Sequence, residues 1–228
     1  MVYLTILKSW TSPRKYSSVL NVLRPSEGPL GVDMHVFVLT GMDSVGKTTA
    51  LNMLKQRSES GLVESSIEIH KIVNDPTVEE KLSELERAWE FLFYIKRKRK
   101  ERGNDRLLIF ADRFPFPDHW VYAGIFDNRL PRYRWSDEEE AINLSMAKLG
   151  IHMLVALPHP AYWPQYLEQW GEHLPSGRNG TILVRERYLQ FMPRTQMRVG
   201  LIQLRGYLTV DYLAEYLRSL GIRRVWYG

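Results

Sequence analysis

One stretch, Gly41-Met42-Asp43-Ser44-Val45-Gly46-Lys47-Thr48, limits what this chain can fold into more than any other. It follows the pattern G-x-x-x-x-G-K-S/T, with Thr49 directly after it. The pattern has meaning only between a strand and a helix. Here the apolar, β-branched run His35 to Thr40 precedes it, and Ala50 to Lys55 follows with helical character. Glycines in such a loop let the backbone curl until several N–H groups point at one anion, and the helix N-terminus adds partial positive charge. Lys47 then reaches β- and γ-phosphates, and the Thr48 hydroxyl can coordinate Mg²⁺. The stretch therefore reads as a nucleoside triphosphate site built from Gly41, Asp43, Ser44, Val45, Gly46, Lys47, Thr48 and Thr49.

The rest of the chain repeats that alternation. The helix after the loop is expected to run to about Arg57 and stop near Gly61, a C-terminal glycine signal. Ser66 to Val73 alternates like a strand, and Asn74-Asp75-Pro76 breaks it. Thr77 and Glu80 form a capping box for a helix carrying Leu82, Leu85, Trp89, Leu92 and Phe93 at helical spacing. Leu107 to Ala111 is a short continuous apolar run, typical of a strand buried on both faces. Ser136 and Glu139 form a second capping box, for a helix that Gly150 ends. Ile151 to Leu157 reads as a strand. Residues 161–170 and 181–192 are expected to be helical, separated by Pro175-Ser176-Gly177. Val199 to Leu204 is a last strand, and Thr209 opens a closing helix that stops at Gly221. Five strands with helices between them imply an α/β fold: a five-stranded parallel sheet, doubly wound, with helices on both faces. Residues 1–34 stand apart as an N-terminal extension, readable as an arm, an oligomerisation element or an added strand.

Bulk properties exclude several functions. The 228 residues contain no cysteine, which removes disulfides, thiol catalysis and Cys-ligated zinc. No apolar run approaches a membrane span, and the N-terminus is too short and polar for a secretory signal, so a cytoplasmic protein without membrane contact is expected. The net charge of +5 suits polyanionic ligands, and nucleotides alone would satisfy it. The basic run Lys96 to Lys100 ends a helix, where cations are favoured by the dipole. Nucleic-acid binding is therefore not expected.

A second constellation follows the buried run. Asp112-Arg113-Phe114 stands at the end of a parallel strand, where ligands sit. An aspartate there can hold the hydration shell of Mg²⁺ or take a proton, and an arginine can grip a phosphate through two hydrogen bonds.

Together these segments resemble thymidylate kinases. Val36 to Thr49 is similar to that family's P-loop, which carries an Asp two residues after the first glycine, here Asp43. Phe91-Leu92-Phe93-Tyr94-Ile95-Lys96-Arg97 resembles its Leu-Leu-Phe-Ala-Ala-Asp-Arg helix, and Asp112-Arg113-Phe114 its Asp-Arg-Tyr motif. Val121-Tyr122-Ala123-Gly124 resembles Ala-Tyr-Gln-Gly, and Val184-Arg185-Glu186-Arg187-Tyr188 the Val-Arg-x-x-Tyr of a late helix. The chain departs from the pattern at Pro115, Pro117, Ala123 and Asp75-Pro76-Thr77, all around the acceptor.

The resemblance implies a P-loop kinase domain over residues 35–228 with a lid at about 158–180, ATP and Mg²⁺ as cofactors, and a homodimer. It implies phosphorylation of a nucleoside monophosphate, dTMP to dTDP in the family. Lys47 and Thr48 would serve the ATP phosphates and Mg²⁺, with Asp112 supporting the metal. Asp43 would contact the acceptor sugar, Arg97 and Arg113 its phosphate, and Tyr122 its base. Arg178 is the candidate lid arginine, with Arg185 in reserve. Two further readings stay open: a deoxynucleoside kinase, with Asp112 as general base, and a non-catalytic nucleotide-binding regulator. Two arginines facing the acceptor favour one that already carries a phosphate.

Overall fold

The computed structural model describes residues 34–73, 81–101, 106–125, 136–174 and 177–222. Of the expected extension, residues 1–34, only Met34 is described, and it is the first residue of β1; the rest of it and the Thr77/Glu80 capping box lie outside the described residues. In chain order the elements are β1 (Met34–Gly41), α1 (Lys47–Glu59), β2 (Ser66–Lys71), α2 (Lys81–Lys100), β3 (Leu107–Asp112), α3 (Pro115–Tyr122), α4 (Asp137–Lys148), β4 (His152–Pro158), α5 (Trp163–Trp170), α6 (Gly177–Phe191), β5 (Arg198–Leu204) and α7 (Val210–Ser219).

The five strands form one parallel sheet in the order β2-β3-β1-β4-β5. The position of each strand explains its composition. The interior strands β1, β3 and β4 are buried over almost their whole length, and Val36 to Leu39 are at most 1% exposed. Strands flanked on both edges and covered on both faces must read as continuous apolar runs. The edge strands β2 and β5 keep exposed positions.

The connections from β2 to β3, from β3 to β4 and from β4 to β5 all move in one direction across the sheet. Only the step from β1 to β2 moves the other way. Right-handed crossovers therefore put α1 on one face and α2 to α6 on the other. The packing agrees: α1 packs on α7, while α3 packs on α2, α4 and α6. The result is a three-layer α/β fold with helices on both faces. No helix among the described residues is long and apolar enough to cross a membrane.

The caps follow the sequence closely. Glu139 N–H donates to the Ser136 hydroxyl at 3.2 Å, and Ser136 N–H donates to the Glu139 carboxylate at 2.7 Å, closing the expected box on α4. Thr209 caps α7 by accepting from Tyr212 N–H at 3.2 Å. Two elements differ from expectation. Helix α6 begins at Gly177, four residues before residue 181, so the glycine read as a separator is its first residue. The Pro115–Pro117 stretch, for which no helix is expected from the sequence, belongs to helix α3, which kinks at Phe116 (φ −101°, ψ 116°). Proline in a first turn removes only an N–H that has no intrahelical partner anyway, so α3 tolerates it.

Candidate nucleotide site at the carboxyl ends of the strands

The loop after β1 is held in shape from two sides. Gly41 has φ 128°, and a Cβ there would stand 2.1 Å from the Ala156 carbonyl oxygen of β4. Met42 N–H donates to that same oxygen at 3.1 Å. On the other side, Leu208 N–H donates to the Val45 carbonyl at 2.7 Å, tying the loop to the β5–α7 connection. Gly46, with φ 86°, is the N-cap of α1 and gives it no side-chain cap, and the first turn carries no acidic residue. The N-terminal N–H groups of α1 therefore face an open cleft, the arrangement that binds anions.

Lys47 is buried under this loop, 5% exposed. Its Nζ donates to the carbonyls of Gly41, at 3.1 Å, and Met42. Burial lowers its pKa to about 8, against the opposing pull of Asp118 and Asp112. Beside it, the Thr48 hydroxyl donates to Asp112 Oδ2 at 2.5 Å. Asp112 Oδ1 is buried and has no hydrogen-bond partner among the described residues. A buried oxygen without a partner is costly unless something else fills that role. A hydrated Mg²⁺ fits this donor set, since Mg²⁺ takes one or two protein oxygens and keeps waters and phosphate oxygens as its other ligands. Among the described residues no group of three or more His, Asp or Glu side chains is placed to hold a metal alone.

Arg113 comes next along β3 and turns back under the loop with φ 63°, its N–H donating to the Leu39 carbonyl at 3.0 Å. Its guanidinium pairs with Asp43 through Nη2 and with Asp118 Oδ2 through Nη1 at 3.0 Å. The Tyr122 ring lies 5.4 Å from the guanidinium carbon, so the cation also rests on an aromatic face. Asp118 is fully buried and accepts from Thr40 Oγ1. The Tyr188 hydroxyl stands 3.0 Å from Asp118 Oδ1 and 3.1 Å from the Gly41 carbonyl. Arg187, next to Tyr188 on α6, donates through Nη1 to the carbonyls of Val121 and Ala123 at 2.8 Å each, and of Trp120 at 3.3 Å. That cation caps the carboxyl end of α3.

The cleft has a volume of about 500 Å³. Asp43, Ser44, Gly46 and Lys47 to Thr49 form its floor, and Arg113, Trp170 and Tyr207 its walls. Sheet order separates these walls: Arg113 follows β3, Tyr207 follows β5, and the loop between them follows β1. Three strand spacings amount to about 14 Å. Helix α5 leans on the loop, because the Tyr166 hydroxyl donates to the Asp43 carbonyl at 2.7 Å and Tyr166 stacks on Trp163.

The loop residues Gly41 to Thr49, Asp112 and Arg113 are thus gathered in one place, with Tyr122 behind Arg113. Arg97 is not. Its side chain is 70% exposed and pairs with Glu101 at 3.6 Å. Helix α2 starts at the carboxyl end of β2 and returns to the start of β3, so a residue near its last turn lies at the amino end of the sheet. Its neighbour Arg99 is in the field of His152, the first residue of β4. Among the described side chains of α2, Arg87 is a cation near the carboxyl end of β2, where its Nε donates to the Ile72 carbonyl at 2.9 Å. Ten residues of helix separate Arg87 from Arg97, about 15 Å. Arg178 is exposed in the first turn of α6 and does not line the cleft, while Arg185 stacks on Trp163 at 4.9 Å.

The site also includes residues the motifs do not mark: Asp118, Tyr166, Trp170 and Tyr207. Asp118 carried a signal, since a lone carboxylate in the apolar run Phe114 to Val121 needs a buried partner.

No protein-family model matches the chain, and no curated protein matches it. Among solved structures, the chain is similar to the YorR protein in complex with phosphorylated GDP from Bacillus subtilis. The identity is 16% and the TM-score 0.50, over 83% of this chain and 98% of that one. It is also similar to a thymidylate kinase from Candida albicans, described as having broad substrate specificity. There the identity is 14% and the TM-score 0.40, over 83% and 91% of the two chains. At these identities the likeness to YorR is one of fold.

Proposed function

We propose that this chain is a nucleotide kinase that transfers the γ-phosphoryl group of Mg-ATP to a nucleoside monophosphate. The observation that carries the reading is the position of Arg113. Its guanidinium opens on the same cleft as Lys47 and Thr48, yet comes from β3, one strand over from the loop. A single nucleotide on the loop needs no second phosphate-gripping cation on that side. A phosphorylated acceptor does.

The chemistry follows from positioning and charge, which dominate phosphoryl transfer. The α1 N-terminus and the loop amides hold the donor phosphates. Lys47 exchanges its contacts with the Gly41 and Met42 carbonyls for phosphate oxygens. Thr48 and Asp112 would hold Mg²⁺, which when bound neutralises charge on the β- and γ-phosphates. Arg113 orients the acceptor phosphate, with Asp43 beside it and the Tyr122 ring behind. The partnership of Asp112 with Thr48 favours a metal-supporting role over that of a general base. The donor base lies on the Trp170/Tyr207 side, because the β3 side belongs to the acceptor. The YorR protein, of similar fold, was crystallised with a guanine nucleotide, which supports a nucleotide in this cleft. For the acceptor, resemblance in the motifs points to dTMP. The lid role goes to residues 158–180, with Arg178 reaching the phosphates only on closure and Arg185 already packed on α5.

The test is ADP release from Mg-ATP against a panel of ribo- and deoxynucleoside monophosphates and free nucleosides. Turnover with one or a few monophosphates is the expected result. Turnover with nucleosides alone would reassign Asp112 as the base. Nucleotide binding with no turnover on any acceptor would overturn the kinase reading.

A further inference from the structure

Arg113 has two carboxylate partners, and they are not alike. Asp43 belongs to the loop and its side chain is 28% exposed to the cleft, whereas the Asp118 side chain is fully buried. An incoming phosphate can replace the first and cannot reach the second. Asp118 is also fixed from three directions. Thr40 Oγ1, at the end of β1, donates to Oδ1, the Tyr188 hydroxyl of α6 lies 3.0 Å from the same oxygen, and Arg113 Nη1 donates to Oδ2. Through Tyr188 the same cluster reaches the carbonyl of Gly41, the first residue of the phosphate loop.

From this arrangement, and resting on the kinase reading above, we infer that Asp118 is the positioning residue of the acceptor site. It holds one edge of the Arg113 guanidinium in fixed register with the phosphate loop, leaving the edge now paired with Asp43 for the acceptor phosphate. The role demands a buried carboxylate with no spare oxygen, and Asp118 uses both of its oxygens on protein groups. Asp43 is then the exchangeable partner, which occupies Arg113 when the acceptor is absent. A guanidinium that keeps one bidentate edge free binds phosphate with geometric as well as charge specificity.

The experiment compares Asp118→Asn with Asp43→Asn in the full chain, by two readouts. The first needs no ligand. Restricted rotation of the Arg113 guanidinium is followed by ¹⁵Nη NMR, with the signal assigned by its absence in Arg113→Lys. It should persist in Asp43→Asn and be lost in Asp118→Asn. Loss in Asp43→Asn overturns the inference, and because Asp43 is partly exposed, that variant remains informative even where Asp118→Asn does not fold. The second is kinetic: Asp118→Asn should raise the acceptor KM about 10- to 100-fold, the range for losing a hydrogen bond to a charged group, with the ATP KM within about twofold of the parent. Equal rises in both KM values would mark a general structural role and overturn the inference. Wild-type protein that turns over no acceptor would count against the kinase reading, while the NMR comparison would still decide the role of Asp118.

Discussion

Replacing Gly41 with alanine tests the way the phosphate loop is seated on the sheet. Gly41 pairs in register with Ala156 of β4. A Cβ at that position would meet the Ala156 carbonyl oxygen at 2.1 Å, its nitrogen at 2.7 Å and its carbonyl carbon at 2.8 Å. All three are backbone atoms of an interior strand, so no side-chain rotation can relieve them. The φ of 128° adds a second, independent cost. Strain at such a φ is worth about 1–3 kcal/mol, and inserting a carbon into a packed interior about 1–3 kcal/mol more. Gly41→Ala should therefore lose about 2–6 kcal/mol, a large share of the roughly 5–15 kcal/mol that holds a typical domain folded. Gly61→Ala is the internal control. Gly61 also has positive φ, 75°, but nothing lies within 4 Å of where its Cβ would stand, so only the conformational cost, about 1–2 kcal/mol, applies. Urea unfolding followed by tryptophan fluorescence and far-ultraviolet circular dichroism gives both midpoints. A Gly41→Ala midpoint equal to that of Gly61→Ala would refute the close approach of the loop to β4.

Three other outcomes follow from the geometry. Trp170→Ala or Tyr207→Ala should raise the KM for ATP by about 5- to 150-fold, since base–aromatic stacking is worth about 1–3 kcal/mol. If either raises the acceptor KM instead, the two walls of the cleft have been assigned the wrong way round. Arg97→Ala should leave turnover within about twofold of the parent, since an exposed ion pair of this kind is worth at most about 1 kcal/mol; a loss of acceptor affinity would return Arg97 to the site. His152 is pushed down to about 4 by burial, with Arg198, His35 and Arg99 adding to the shift. The unfolded chain therefore takes up a proton before the folded one, and this contribution to stability is lost as pH falls from 6.5 towards 4. His152→Gln should flatten that part of the urea-midpoint profile, and an unchanged slope would remove His152 from the account.

The sequence revealed those parts of the molecule in which a local rule and the tertiary environment point the same way. The interior strands were visible because burial on both faces leaves no room for polar alternation, and the Ser136 and Thr209 caps because each closes within its own turn. The loop from Gly41 to Thr49 was readable down to single residues, since its backbone path requires glycine at defined places. The misplacement of Arg97 came from carrying a motif over by its letters alone. Similar letters ten residues further along fall at the opposite end of the sheet, and only the strand–helix–strand path decides which end. Helix α3 was hidden by its prolines, which are neutral in a first turn and disruptive elsewhere. The partners of Asp118, Thr40 and Tyr188, lie 78 and 70 residues away from it. No spacing rule connects residues that meet only because β1, α3 and α6 pack together.

The three carbonyls gathered by Arg187 set a limit on how the top of the molecule can move. Helix α6 is clamped to α3 at that residue, and Tyr188 beside it touches the phosphate loop, so from there onward α6 behaves as part of the frame. The upstream segment, α5 and the first turns of α6, is hydrogen-bonded to the loop through the hydroxyl of Tyr166, while Thr181 and Val184 are buried beneath it. Any opening and closing over the cleft must therefore pivot upstream of Arg187. In the closure proposed above, the moving arm would be no longer than the piece of chain between Pro158 and Glu186, with Arg178 upstream of the clamp at Arg187.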